Sequence, residues 1–127
     1  MKYLRVEQVL FIHSRLIHAA GGSHGVRDLG LLESAVGRPQ ATLDEKELYP
    51  DLFTKTAALM DALIDHHPFV DGNKRTGVTA AGLLLRLNGW ELKVSPQALE
   101  SCTLRVATKR MKLAELALWL QKHSVEA

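Results

Sequence analysis

Apolar residues recur every three to four positions along most of this chain, and this spacing constrains the fold more than any other feature of the sequence. Such a period places the apolar side chains on one face of an α-helix. It is clearest over residues 6–20, 51–66 and 73–87. The first stretch is stopped by Gly21-Gly22 and the second by Pro68, as is typical of helix ends. The chain is therefore predicted to be built from helices.

Shorter helices are predicted in much of the remaining sequence. Asp28 can cap a helix that must end before Pro39. Ser95-Pro96 opens another helix over residues 97–108, with proline at its favoured first position. The amphipathic pattern of residues 111–123 indicates the last one.

Non-helical structure is confined to short segments. The polar residues 40–49 predict an exposed loop or small hairpin, and residues 90–94 allow a short strand. The helix over residues 73–87 is apolar nearly all round from Val78 to Leu85, which predicts that it is central and buried. The expected fold is all-α, a compact bundle of about six helices with a possible short hairpin or flap.

Composition limits the class of protein. With 127 residues, 46% of them hydrophobic, the chain suits one domain over residues 1–127. A net charge of +2 gives no argument for nucleic acid. The one cysteine, Cys102, excludes an internal disulfide, and its helical position indicates a buried, inert thiol. The N-terminus lacks a signal-peptide pattern, and Gly82 and Arg86 interrupt the apolar residues 80–87. We expect a cytoplasmic protein outside the membrane.

Residues 67–75 carry the chemistry: His67-Pro68-Phe69-Val70-Asp71-Gly72-Asn73-Lys74-Arg75. This run precedes and opens a predicted helix, whose free N–H groups and dipole favour an anion such as phosphate. Gly72 lets the backbone approach a ligand closely. Asn73 adds a donor, Arg75 adds a fork that suits phosphate oxygens, and Lys74 adds a second positive charge.

Two residues of the run need a separate explanation. Asp71 is out of place in an anion site unless a divalent cation links it to the phosphates, as Mg²⁺ commonly does. His67 is the only residue of the run that titrates near neutral pH, so it is the natural general base for a hydroxyl. Phe69 is expected to anchor the loop in the core and to fix the His67 ring.

Each part of the run also has an ordinary structural interpretation. His67-Pro68 can simply end a helix, Asp71-Gly72-Asn73 can be a turn and helix cap, and Lys74-Arg75 can be solvated charge. Any one of these is the better account of a single element. The combination at this spacing favours a catalytic site.

The run resembles the signature of the Fic/Doc family, His-x-Phe-x-(Asp/Glu)-Gly-Asn-Gly-Arg-x-x-Arg. The chain departs from it at Lys74, where Fic proteins have glycine, and at Val78, where they have a second arginine. Both departures are typical of the death-on-curing (Doc) branch. Segments 24–28, 31–40 and 87–89 are also similar to Doc sequences. The signature positions that match are His67, Phe69, Asp71, Gly72, Asn73 and Arg75.

The resemblance implies a nucleotide-dependent transferase. Fic proteins transfer AMP from ATP to a hydroxyl, whereas Doc phosphorylates a threonine of elongation factor Tu with the nucleotide reversed, which arrests translation. The Lys74 side chain would crowd an α-phosphate, and Val78 removes a clamp on the distal phosphates. Both favour γ-phosphoryl transfer, with AMP transfer as the alternative. The family assigns the base to His67, Mg²⁺ to Asp71, and ATP phosphate binding to Gly72, Asn73, Lys74 and Arg75.

The same resemblance implies two partners. In the family, the region corresponding to residues 39–49 forms a flap over the site, so it is expected to position the protein substrate. Self-restrained Fic proteins carry a Ser/Thr-x-x-x-Glu helix, and none of the serines and threonines here has glutamate four residues later. Inhibition in trans is therefore predicted, by a Phd-like antitoxin whose disordered tail folds on the toxin in a toxin-antitoxin system.

Two rivals come from other classes. Asp65-His66-His67 superficially spells the DHH phosphoesterase signature, but that fold needs further aspartate clusters and a longer chain. A nucleic-acid-binding module is the non-enzyme alternative. Its cations are spaced around a helix end without aromatic residues between them, so a solvated face and no direct nucleic-acid binding are expected. Those cations are Arg105, Lys109, Arg110 and Lys112.

Overall fold

The structure, a computed structural model, describes all 127 residues and contains six α-helices with two small antiparallel strand pairs. The helices are α1 (Val6–Ala20), α2 (Leu29–Gly37), α3 (Leu52–Asp65), α4 (Asn73–Leu87), α5 (Pro96–Ala107) and α6 (Leu113–Lys122). The strands are β1 (Thr42–Leu43), β2 (Lys46–Glu47), β3 (Trp90–Leu92) and β4 (Ser124–Glu126). A short 3-10 helix, Arg38–Gln40, follows α2. The predicted all-α bundle of about six helices is confirmed.

Local capping explains why the helix starts follow the prediction. The Asp28 carboxylate accepts a hydrogen bond from Leu31 N at 3.0 Å. The Asp51 carboxylate does the same for the first turn of α3, and the Ser95 hydroxyl for the first turn of α5. Each cap satisfies an N–H group that has no partner inside its helix. The sequence signals for these starts therefore act within a few residues of the chain.

The most buried helix is α3, which packs against α2, α4, α5 and α6. The sequence pattern favoured α4 as the central helix, and this holds only for the inner face of α4. Thr79 is exposed and Val78 half-buried, because α5 covers the outer face incompletely. In α3 the small side chains Ala57, Ala58 and Ala62 let neighbouring helices approach closely, and all three are fully buried.

Two apolar clusters meet along α3 and α4. One joins α3 and α4 to α5 and α6, and it includes Met60, Leu85, Val106 and Leu116. The other joins them to α1 and α2. Since each helix of the pair contributes to both clusters, the α3–α4 pair is held rigidly from two sides. The loop between these helices, residues 66–72, is therefore fixed at both ends.

Gly77 shows how closely the pair packs. A Cβ at this position would lie 2.9 Å from Ile64 Cγ1 and 3.4 Å from the Met60 carbonyl oxygen. Only glycine fits without displacing α3. This contact brings the end of α3 and the start of α4 together across the loop.

The strand pairs lie outside the helical core. β3 and β4 pair antiparallel with Glu91 opposite Val125; β4 was not predicted, because three residues carry too little pattern to reveal a pairing with a distant strand. β1 and β2 form the expected hairpin, turning through Asp44 and Glu45 with φ of 51° and 65°. None of the helices has the length and apolar character that crossing a bilayer requires. Cys102 is buried as predicted, and burial raises its pKa to about 11.

Candidate active site

The loop between α3 and α4 is closed by a reciprocal pair of hydrogen bonds. Phe69 N donates to Asn73 Oδ1 at 2.9 Å, and Asn73 Nδ2 donates to the Phe69 carbonyl oxygen at 3.0 Å. Both residues are buried. The Asn73 side chain, predicted to face a phosphate, thus also fixes the loop. Its backbone N–H lies in the first turn of α4, where it has no partner within the helix.

His67 projects from this loop into solvent. Its backbone has φ of +49°, a left-handed conformation that residues with a Cβ rarely adopt. The residue is exposed, and its ring has no hydrogen-bond partner within the protein. A free imidazole at the rim of a site can accept a proton from an incoming hydroxyl.

One cavity of about 290 Å³ unites the residues that the sequence singled out. His67 and Asp71 share it with the first turn of α4, and Val70 supplies its apolar wall. The six predicted site residues therefore do lie together. They are His67, Asp71, Gly72, Asn73, Lys74 and Arg75.

The cavity opens onto the N-terminus of α4. Gly72 precedes the helix with φ of +78°, and the first N–H bonded within the helix belongs to Thr76, which donates to the Gly72 carbonyl oxygen at 2.9 Å. The N–H groups of residues 73–75 are therefore available to an anion. Lys74 is exposed, and Arg75 Nη1 donates to the Gly21 carbonyl oxygen at 3.1 Å. Two cations and a helix dipole thus converge on one end of the cavity.

Asp71 supplies the only carboxylate of the cavity. Its two oxygens accept backbone N–H groups from Ser23 at 3.1 Å and from Gly72 at 2.8 Å. These two bonds, followed by the charge of Arg75, lower the pKa of Asp71 and keep it ionised. No set of three or more His, Cys, Asp or Glu side chains is placed to hold a metal alone. A single ionised carboxylate beside a phosphate site fits Mg²⁺ shared with phosphates.

The support that α1 gives to this loop was not predicted from the sequence. His13 Nε2 donates to the Asp71 carbonyl oxygen at 2.7 Å, and its ring stacks on Phe69 with centroids 3.8 Å apart and planes within 5°. Phe69 does anchor the loop in the core as expected, but its aromatic partner is His13 and not His67. The available signal was the spacing of α1, where His13 lies four residues from both Val9 and Ile17, on the buried face of the helix.

Gly21-Gly22 was interpreted only as a helix stop, but Gly22 also lies against Asp71. Gly22 has φ of +120°, and a Cβ there would lie 2.7 Å from Asp71 Oδ2. Farther along, Val70 N donates to the Gly25 carbonyl oxygen at 3.1 Å, and Val26 forms an antiparallel bridge with Phe69. Residues 21–28 therefore support the motif from outside the cavity, through hydrogen bonds to its backbone and to Asp71.

Two cations tie this region to α3: Lys55 holds the β1–β2 hairpin, and Arg38 holds the 3-10 helix before it. Lys55, only 3% exposed, donates to the Pro39 carbonyl oxygen at 3.1 Å and to Glu47 Oε1 at 2.8 Å. Arg38 donates to Asp61 Oδ2 at 2.9 Å. A buried ammonium group needs such partners, so the base of the hairpin is held firmly while its tip stays exposed.

An apolar groove of about 440 Å³ adjoins the cation end of the site. Leu16 of α1, Val78 of α4, and Leu99 and Leu104 of α5 supply its apolar lining. Its polar lining includes Lys74 and Arg75, which it shares with the site, and Glu100 of α5. Val78 occupies the position of the second arginine in the Fic signature, and it faces this apolar groove.

The structure also bears on the rival interpretations. Asp65 Oδ1 lies 3.4 Å from Lys109 Nζ, so this carboxylate pairs with a lysine. Arg105 Nη2 lies 3.6 Å from Glu115 Oε2. Two of the four cations proposed for nucleic acid thus face carboxylates, which favours a solvated surface at this end of the molecule.

Comparison with known proteins finds one family and two Doc proteins. The model of the Fic/DOC family matches residues 3–85. "Toxin Doc" of Mycolicibacterium smegmatis is 48% identical over 91 residues, which is 72% of this chain and 68% of that protein. "Protein kinase doc" of Escherichia phage P1 is 34% identical over 122 residues, which is 96% of this chain and 95% of that protein.

Proposed function

Since the chain belongs to the Fic/DOC family and to its Doc branch, we propose that it is a toxin that uses ATP and Mg²⁺ to phosphorylate a threonine hydroxyl of elongation factor Tu. The single observation that carries this proposal is the cavity shared by His67, Asp71 and the N-terminus of α4. The exposed His67 imidazole, the Asp71 carboxylate and the first turn of α4 border one small volume, which supports the proposal. The relative from phage P1 is named a protein kinase, which supports phosphoryl transfer as the reaction.

The chemistry follows from these residues. The His67 imidazole takes the proton of the substrate hydroxyl, and the hydroxyl oxygen attacks the γ-phosphorus. The bond from the γ-phosphorus to the bridging oxygen breaks, and ADP leaves with that electron pair. The N–H groups of residues 73–75, with Lys74 and Arg75, hold the phosphates. Bound Mg²⁺, held by Asp71, would neutralise phosphate charge.

Two positions favour phosphoryl over adenylyl transfer. Lys74 stands exposed in the cavity where Fic proteins have glycine, so its side chain adds bulk and charge beside the anion site. Val78 faces the apolar groove where Fic proteins have a second arginine. With no second guanidinium to hold distal phosphates, the terminal phosphate is better placed near His67. AMP transfer to a hydroxyl is the alternative that the same cavity would allow.

The hairpin and the groove suggest where partners bind. We assign the protein substrate to the hairpin, whose base is fixed by Lys55 while its tip stays open. We assign an antitoxin of the Phd kind to the groove, since an amphipathic segment could place apolar residues against Leu99 and Leu104 and an acidic residue near Arg75.

Labelled ATP tests the reaction. The chain is incubated with a bacterial lysate, Mg²⁺ and ATP labelled on either the α- or the γ-phosphate, and the labelled protein is identified. We expect only the γ-label to reach protein, and we expect it on elongation factor Tu. Transfer of the α-label would replace the kinase by an adenylyltransferase, and labelling of another protein would reject the proposed substrate.

Expression in bacteria tests the toxin role. The chain alone is expected to arrest growth, and coexpression with the small gene beside it is expected to restore growth. Harmless expression of active protein alone would contradict both the toxin role and inhibition in trans.

A further inference from the structure

The Arg27 side chain donates hydrogen bonds to the backbone of the segment that carries His67. Its Nε donates to the His67 carbonyl oxygen at 2.6 Å, and its Nη2 donates to the His66 carbonyl oxygen at 2.7 Å. Its backbone N–H donates to the Pro68 carbonyl oxygen at 2.7 Å. Arg27 thus donates hydrogen bonds to three successive carbonyl oxygens, those of residues 66–68, although it lies outside the signature that defines the site.

This segment needs an external support for two physical reasons. Carbonyl groups just beyond the end of α3 have no partner within the helix, and the helix dipole makes this end attractive to a cation. His67 also adopts φ of +49°, which its Cβ disfavours. A conformation of this kind persists only when surrounding contacts hold it. The Arg27 guanidinium supplies both the charge and the contacts.

The arrangement is specific to arginine. The two side-chain bonds come from different nitrogens of one planar group, so they fix the relative orientation of two adjacent peptide units. A lysine could supply the charge but only a point donor. The neighbouring backbone bonds, such as Val70 N to the Gly25 carbonyl oxygen, hold Arg27 in register with the motif.

We propose that Arg27 is a positioning residue for His67, holding its backbone in the left-handed conformation that aims the imidazole at the substrate hydroxyl. This inference rests on the proposed function, because it takes His67 as the base. Arg27 itself is exposed on the loop before α2 and forms no part of the apolar core. Its removal therefore changes the aim of His67 and leaves the fold in place.

The test compares Arg27→Met, which keeps an unbranched side chain without donors, with Arg27→Lys, which keeps the charge. Arg15→Met is the matched control, since Arg15 is an exposed arginine of α1 whose guanidinium lies over the Phe11 ring, 5.9 Å from its centroid. Transfer is measured with ATP labelled on the α- or the γ-phosphate, which gives kcat and KM for ATP. Thermal unfolding gives Tm. We expect Arg27→Met to lower kcat by roughly 10-fold or more, because a misplacement of about 1 Å can cost on the order of 10²-fold. KM for ATP and Tm should match those of Arg15→Met, and Arg27→Lys should recover part of kcat.

A double variant separates positioning from general damage. If Arg27 acts through His67, Arg27→Met should cause no further loss of transfer in a His67→Ala background. Equal losses in both backgrounds, or a kcat for Arg27→Met within twofold of the unsubstituted chain, would overturn the inference. Transfer of the α-label would correct the reaction class alone, because the same kcat comparison still tests whether Arg27 positions His67.

Discussion

The ring of His13 lies flat on the ring of Phe69, with centroids 3.8 Å apart, while its Nε2–H reaches the Asp71 carbonyl oxygen. Through these two contacts His13, a buried residue of α1, supports the loop of residues 66–72 from its core side. Contacts with the core therefore fix the positions of the loop residues that face the cavity. Asp71 in particular is fixed at its carbonyl by His13 and at its carboxylate by Ser23.

His13 should accordingly matter both for stability and for the site. We expect His13→Ala to lower the free energy of unfolding by about 3 kcal/mol, as large-to-small core substitutions do. His13→Phe keeps the stack and loses the hydrogen bond, so it should be less destabilising but still weaken Mg²⁺-dependent ATP binding. Denaturant unfolding and ATP titrations measure the two effects. Binding that is unchanged in His13→Phe would show that Asp71 needs no support from α1.

Gly22 is predicted to be irreplaceable for a reason that Gly21 does not share. Both have positive φ, but an added Cβ would meet Asp71 Oδ2 at 2.7 Å from position 22 and no heavy atom within 4 Å from position 21. Both alanine variants should lose about 1 kcal/mol of stability through backbone strain. Only Gly22→Ala should also weaken Mg²⁺-dependent nucleotide binding. Equal binding by the two variants would mean that the Asp71 carboxylate tolerates displacement.

His67→Ala is expected to reduce transfer to a small residual rate and to relieve toxicity while leaving the fold intact. His67 is exposed and supplies proton abstraction, an effect worth about 10²–10⁴-fold in rate. The control is His18→Ala, which removes an exposed histidine in the last turn of α1. Transfer rates and Tm are measured for both. Undiminished transfer by a folded His67→Ala variant would reject the mechanism.

Asp71→Asn should weaken binding of the Mg²⁺-nucleotide complex, because a neutral amide is a poorer ligand for a hard cation. The hydrogen bonds from Ser23 and Gly72 lower the pKa of Asp71, so its ionised form persists as pH falls. When folding lowers the pKa of a carboxylate, the stability that its ionised form contributes is complete above the unfolded pKa. That stability is lost only as pH falls through the folded pKa. Protonation of Asp71 should therefore cause little loss of Mg²⁺-dependent binding down to about pH 5. A Mg²⁺ dependence that survives in Asp71→Asn would remove the metal role.

Local signals explain what could be predicted from the sequence. Asp28 and Ser95 cap helices through residues three positions away, so the starts of α2 and α5 were visible in short segments. The signature residues also lie within one loop and one helix turn, and their shared cavity follows from that proximity.

The supports of the site depend on partners distant in sequence. His13 contacts a residue 58 positions away, and Arg27 contacts one 40 positions away. In the sequence, His13 is one more member of the face of an amphipathic helix, and Arg27 is one more exposed cation. Only the packing of α1 and its following loop against the motif reveals what they do. The same holds for β4, whose partner β3 lies across two helices of the chain.

Intact-mass measurement of the modified target tests the central claim most directly. The chain, ATP and Mg²⁺ are incubated with purified elongation factor Tu, and the mass of the product is compared with that of a reaction containing His67→Ala. A mass increase corresponding to one phosphate, absent with His67→Ala, is the predicted result. An increase corresponding to one AMP group would contradict it and would show that Lys74 and Val78 do not direct the γ-phosphate to His67.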